Sequence, residues 1–196
     1  MKVIAHLSEP IDRFWLEDNG ALRQFLDQEL RYGLAKALDA RVVNVITTEA
    51  TPGSGTVDLA GVRSAITDLQ ELDLVPSGIV MTPSDWEDVE AEATTTFAAN
   101  DNFPAATEAL AQRLYGVPVA VSNSITSGSA IVGAFRDSAR IFRTGSASIT
   151  LHDSQPRDVS GTDYADYVLN QLVMRAEMRA EVAVTRPAGF ILLGGS

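Results

Sequence analysis

From Met174 to Thr185 apolar and polar positions alternate almost without a break. Met174, Ala176, Met178, Ala180, Val182 and Val184 fall on one side, and Arg175, Glu177, Arg179, Glu181, Ala183 and Thr185 on the other. A period of two held this long predicts a strand of about 40 Å with one apolar face. The other face is mostly charged, with alternating sign. It either stays solvated or pairs with complementary charges on a neighbouring strand or chain. Arg186-Pro187 ends the run, and Phe190–Leu192 reads as a short strand beyond it.

A different period governs the other end. Leu22, Phe25, Leu26, Leu30, Leu34, Ala37 and Leu38 recur at steps of three and four, which predicts a helix over Ala21–Asp39. Asp18 or Asn19 is its expected N-cap. At 1.5 Å per residue it spans about 28 Å and needs a partner surface along its length. Gly33 inside it costs about 1 kcal/mol relative to Ala and marks a close approach by another backbone. Val3–Leu7 before it, and the β-branched Arg41–Thr48 after it, read as strands.

Thr51–Thr56 (TPGSGT) is the clearest loop. Leu59, Val62, Ile66, Leu69 and Leu72 predict a second helix, which Pro76-Ser77-Gly78 breaks before a buried strand, Ile79–Met81. A further helix starts at Thr82–Trp86, capped either by a Ser84–Glu87 box or by Thr82 ahead of Pro83. Thr94–Pro104 reads as a polar loop and Thr107–Leu114 as a helix. Val117–Val121, Ala130–Phe135, Arg140–Phe142 and Ser146–Leu151 read as strands between Gly and Ser turns.

Composition narrows the chemistry. The 196 residues hold no cysteine, which excludes disulfides, thiol nucleophiles and zinc–thiolate or iron–sulfur sites. No stretch is long and apolar enough for a membrane span. Fifteen basic against 26 acidic residues give a net charge of −11, the wrong sign for a protein that binds nucleic acid by neutralising phosphates. Residues 1–100 carry 17 acidic and 7 basic side chains, and 101–196 carry 9 and 8. Between Arg63 and Arg113 lie ten carboxylates and no Lys or Arg. That segment is a solvated face, or one facing something it must not adhere to, such as packaged DNA.

No phosphate loop, nucleophile elbow or dinucleotide fingerprint occurs. His152-Asp153-Ser154 lists the residues of a triad, but sequence neighbours rarely reach relay geometry. Asp85, Asp88 and Glu92 share a helical face and could hold Mg²⁺ or Ca²⁺, although they lack the Gly-turned loop of a calcium site. Trp15 and Trp86, each beside acidic residues at a helix start, read as anchors to a core. The residues by themselves therefore describe an acidic α+β protein with no evident catalytic, cofactor or metal site.

Several segments resemble one family. Ser77–Trp86 (SGIVMTPSDW) resembles the strand-to-helix element of tailed-phage major capsid proteins with the HK97 fold. Leu114–Val119 (LYGVPV), Ala130–Phe135 (AIVGAF) and the run from Asn170-Gln171 through Arg175–Arg179 to Arg186–Phe190 resemble its later strands. Lys2–Leu7 and Leu22–Lys36 resemble its first strand and long spine helix. The pieces occur in family order.

The resemblance implies a peripheral domain from residues 1–60 and 143–196 and an axial domain from 61–142. Thr94–Pro104 would approach the five- or six-fold axis. It implies a non-enzymatic subunit that assembles with copies of itself into an icosahedral shell around double-stranded DNA, without sequence-specific contact. Such a protein is found in the virion, is assembled in the bacterial cytoplasm, and works beside portal and scaffold or protease components, with no membrane. Relative to the family pattern the chain starts after the N-terminal arm and extended loop. Some members join subunits by a Lys–Asn isopeptide bond assisted by a Glu; Asn170 and Glu177 fall at those Asn and Glu positions, and the lysines here are Lys2 and Lys36. An encapsulin-type shell is the close alternative. A metal-dependent α+β hydrolase using Asp85–Glu92 is the alternative of another kind, which divalent metal should stabilise on binding.

Overall fold

The alternating segment forms the strand that its pattern demands, and the first body of the protein is built on it. The computed structural model describes residues 1–97, 112–154, 156–159 and 162–194. By their contacts these divide into two units: Met1–Asp39 with Ile141–Glu181, and Ala40–Arg140 with Val182–Ser196.

In the first unit the strand β11 (Gln171–Val184) pairs antiparallel with β1 (Lys2–Leu7), from Lys2 opposite Ala180 to Leu7 opposite Arg175. The two-residue β2 (Ile11–Asp12) pairs with Leu172 and Gln171, and β8 (Ala139–His152) also pairs with β11. The Asp12 carboxylate caps the six-residue α1 (Arg13–Asp18), accepting from the Phe14 amide at 2.9 Å and from Trp15 at 3.3 Å. Asn19 then accepts from the Leu22 amide at 3.2 Å and starts α2 (Gly20–Glu49). The apolar stripe of α2, Leu26, Leu30, Leu34 and Leu38, packs on Leu172, Met174, Ala176 and Met178 of β11, with Ile4, Leu16, Ala147 and Ile149 completing the core. Each fully buried Leu or Met there contributes on the order of 1.5–3 kcal/mol. A short antiparallel pair, β9 (Pro156–Val159) and β10 (Thr162–Ala165), belongs to the same unit.

Two expectations change here. Arg41–Thr48 is not a strand, because α2 continues through it to Glu49. Val43 and Ile46 lie three apart, on one helical face, and both are buried against Ile125, Ile131 and Phe190 in the second unit. β-Branched residues cost only some tenths of a kcal/mol in a helix, so burial decides. Gly33 is approached by a side chain rather than by another backbone: a Cβ there would overlap the His6 imidazole.

The second unit holds a six-stranded sheet in the order β3 (Thr51–Pro52), β12 (Phe190–Leu193), β7 (Ala130–Gly133), β4 (Gly78–Met81), β6 (Val117–Val121), β5 (Arg113–Leu114). β12 runs parallel to β3 and antiparallel to β7; β4 runs parallel to β6. The helix α3 (Leu59–Glu71) buries Val62, Ala65, Ile66 and Leu69 among Ile79, Met81, Val119, Val132 and Leu193. Val89 and part of Trp86, from α4 (Pro83–Phe97), join that core. Ala130–Phe135 is a strand only to Gly133; Phe135 opens the short α5 (Phe135–Ser138), and a 3-10 turn, Pro187–Gly189, precedes β12.

Arg140–Phe142 and Ser146–Leu151 are parts of one strand, β8. Of the expected Thr94–Pro104 loop, the part to Phe97 is helical, and 98–104 lies outside the described residues. Of the expected Thr107–Leu114 helix, Arg113-Leu114 is strand and 107–111 lies outside them. The two units divide the chain at 39/40, 140/141 and 181/182. β12 pairs with both β3 and β7, and residues 51–52 and 190–193 belong to the second unit.

Candidate functional site

Each residue set that could carry chemistry has a definite place. Asp85, in the first turn of α4, is buried. Its Oδ1 accepts from the Gly128 amide at 3.0 Å and from the Ser127 hydroxyl at 3.2 Å, and its Oδ2 accepts from the same amide at 3.1 Å. The helix itself is capped by Thr82, whose hydroxyl accepts from the Asp85 amide at 3.2 Å. Glu92, two turns on, accepts from the Leu59 amide at 3.1 Å and so satisfies one of the open donors at the start of α3. Asp58 satisfies another, accepting from Gly61 at 2.5 Å. The Thr56 hydroxyl, first, and the Gly61 amide, second, hold the Asp58 carboxyl below its usual range. Asp85 and Glu92, two of the three carboxylates that could have formed a hydrolytic centre, are therefore committed to joining helices and a loop, and the third, Asp88, is exposed. Among the described residues no group of three His, Asp or Glu side chains converges as a metal site would.

His152 and Asp153 do not act on each other. The His152 ring shares a 2.9 Å hydrogen bond with the Thr150 hydroxyl, and Asp153 pairs with Arg13 at 3.3 Å. Asn170 stands just ahead of β11 with φ of 53°, its carbonyl accepting from the Arg13 amide at 3.0 Å. Glu177 lies within β11 and pairs with Arg175 at 2.9 Å. Seven residues of extended chain, roughly 23 Å, separate Asn170 from Glu177, so no single side chain could touch both within one copy.

Surface features are more telling. The outer face of β11 presents Arg175, Glu177, Arg179 and Glu181, beside the exposed Val3, Ala5 and Leu7 of β1. Trp15 is 72% exposed, against its expected role as a core anchor, because Leu16 takes the inward position on α1. Phe14, Phe25, Tyr32, Tyr167 and Val168, all of the first unit, are exposed as well. Period-based reading assigned Phe25 to the buried stripe and gave no signal for the others. Among the described residues of the second unit the exposed large apolar side chains are Leu72, Val75 and Tyr115. Its clefts are shallow; one, between α2 and the loop after β6, is lined by Asn44, Thr47, Ser124 and Thr126.

A family model described as "Phage capsid family" matches residues 1–195. Among curated proteins, the major capsid protein of Enterobacteria phage HK97 is 24% identical over 210 residues, covering 97% of this chain and 51% of that protein. The chain thus spans about half the length of the curated relative it matches. Among solved structures, one from Mycobacterium phage Che8 gives a TM-score of 0.70 at 16% identity, over 98% of this chain and 69% of that one. A virus-like particle from Pyrococcus furiosus gives 0.63 at 12% identity, over 98% and 76%. An encapsulin complex from Synechococcus elongatus gives 0.66 at 8% identity, over 98% and 73%.

Proposed function

The chain belongs to the phage capsid family, and we propose that it is a structural subunit whose copies form rings of five and six that close an icosahedral head around double-stranded DNA. Its fold is the α+β, HK97-like capsid fold. The observation that carries the proposal beyond family and fold is the aromatic surface of the first unit. That unit leaves Phe14, Trp15, Phe25, Tyr32 and Tyr167 in water, side chains of the kind that gain most when a partner covers them. Contacts spread over such surfaces, closing by rotation, are what a ring-forming subunit needs.

In this reading the first unit is the peripheral domain and the second is the axial domain. The protein is a virion component, put together in the bacterial cytoplasm with portal, scaffold or protease components. It touches packaged DNA without reading sequence, which suits a net charge of −11. It performs no catalysis, consistent with the structural commitments of Asp85 and Glu92. An encapsulin-type shell uses the same fold, and the family match favours the phage head.

Light scattering with electron microscopy on the purified chain tests this. The expected result is concentration-dependent association into rings or closed particles. A chain monomeric at every concentration reached would overturn the reading, and a hydrolytic activity abolished by Asp85→Ala would replace it.

A further inference from the structure

The outer face of β11 has a symmetry that the proposed shell would use. Arg175, Glu177, Arg179 and Glu181 are every second residue of one strand, so they form a straight row, about 7 Å from one to the next. Val3, Ala5 and Leu7 flank the row on the β1 side, opposite Arg179, Glu177 and Arg175 respectively, and all three are exposed. On the β8 side Ala147 and Ile149 turn to the core, which leaves Ser148 and Thr150 on the outer face, both exposed. Within the chain Arg175 pairs with Glu177, and Glu181 pairs with the N-terminal amine of Met1 at 3.1 Å, whereas Arg179 is exposed and makes no ion pair among the described residues.

We propose that this face is a contact between two copies of the chain, related by a two-fold axis that passes beside Met178 and crosses the strand at right angles. The inference deepens the shell reading and rests on it. The order of charges selects this arrangement. With the axis at right angles to the strand, the second copy runs antiparallel, Arg175 faces Glu181 and Glu177 faces Arg179, and every charge meets its opposite. With the axis along the strand each residue would meet itself, like charge on like. The row is therefore self-complementary in one orientation and self-repelling in the other, which fixes register as well as partner. Sheets packed face to face keep their strands within about 30° of each other, close enough for four long side chains to interdigitate. The occupant is a second copy because the pattern is its own complement.

The face is small. Nine residues of three adjacent strands cover roughly 300 Å² per copy, well below the roughly 800 Å² per partner of a stable pair. The contact therefore acts by repetition, as one weak link among many in a closed assembly.

Two charge-reversed variants test it. Arg175→Glu with Arg179→Glu makes the row wholly acidic, and Glu177→Arg with Glu181→Arg makes it wholly basic. Each is checked for native circular dichroism, and association is followed by light scattering at low salt. The expected result is that either variant alone associates about tenfold more weakly than the unaltered chain, and an equimolar mixture recovers. Arg179→Gln, which leaves the Arg175–Glu177 pair intact, should weaken association and lessen its salt dependence, and it serves if the double reversals do not fold. Association of each reversed variant at the unaltered level would overturn the contact and leave the shell reading standing. So would a mixture of two folded variants that fails to recover. An unaltered chain that never associates would overturn both.

Discussion

Both carboxylate oxygens of Asp85 accept from one amide, that of Gly128, forty-three residues away in sequence. Gly128 has φ of 79°, a left-handed conformation that lets the loop after β6 present its N–H to a buried charge. A charged acceptor withdrawn from water must keep its donors, or its desolvation cost goes unanswered.

Asp85→Ala should accordingly destabilise the protein by about 1–3 kcal/mol, since it removes the charged acceptor that the Gly128 amide and the Ser127 hydroxyl share. Asp85→Asn, which keeps one acceptor oxygen, should lose less. Urea unfolding of the three proteins checks the order. Equal stability of Asp85→Ala and the unaltered chain would mean the carboxylate does not hold the loop.

Replacing a mid-helix glycine by alanine normally stabilises by about 1 kcal/mol. At Gly33 that gain should be offset, because the new methyl meets the ring of His6 on β1, an exposed side chain that must swing aside. Gly33→Ala should therefore stabilise by less than the usual amount, and in a His6→Ala background the full gain of about 1 kcal/mol should return. A double-mutant cycle by thermal unfolding reads this coupling directly.

Tyr115 and Gly116 join β5 to β6, with φ of 52° and 81°. Two central residues with positive φ are what a two-residue type I′ hairpin requires. The Tyr115 hydroxyl donates to the Leu59 carbonyl at 3.2 Å, and the Arg63 guanidinium lies 5.8 Å from the ring centre, so the turn is tied to α3. Gly116→Val should cost about 1–2 kcal/mol, a β-branched residue being strained in that region. Its measure is a lower melting temperature with an unchanged circular dichroism spectrum.

Asp58 caps α3, and its folded-state pKa is depressed by the Thr56 hydroxyl and the Gly61 amide. A depressed carboxyl contributes stability that is complete above the ordinary aspartate range. That stability is lost as pH falls from there through the lower folded-state value. Asp58→Asn keeps an acceptor but cannot titrate. The difference in melting temperature between the two proteins should be largest near neutral pH and should shrink on acidification below the ordinary aspartate range. A difference independent of pH would show that the charge is not what stabilises the cap.

Elements whose own period matches their final geometry were legible in the sequence. β11 alternates because one face meets the α2 leucines, and α3 carries its stripe because one face meets the sheet. Arg41–Thr48 misleads because its β-branched residues are selected for burial by Phe190 and Ile131, which lie far along the chain, rather than for strand geometry. Trp15 misleads because a six-residue helix leaves too few positions to tell its inner from its outer side. The carboxylates of α4 were visible as a cluster, but their partners, Gly128 and Leu59, are distant in sequence and carry backbone amides that no side-chain pattern announces. The alternating charges were legible as a row, and only the exposure of β1 beside them turned the row into a surface.

The place of β12 in its sheet governs the order in which the second unit can be made. Phe190–Leu193 lies between β3 and β7, strands synthesised about 140 and 60 residues earlier, and supplies the fully buried Phe190. Until that strand emerges from the ribosome, β7 has one edge unpaired and β3 has no partner in this sheet. The unit therefore completes its core late, through contacts of long sequence separation, which fold slowly. During that interval nascent chains expose open apolar strand edges, and protection from aggregation matters most then.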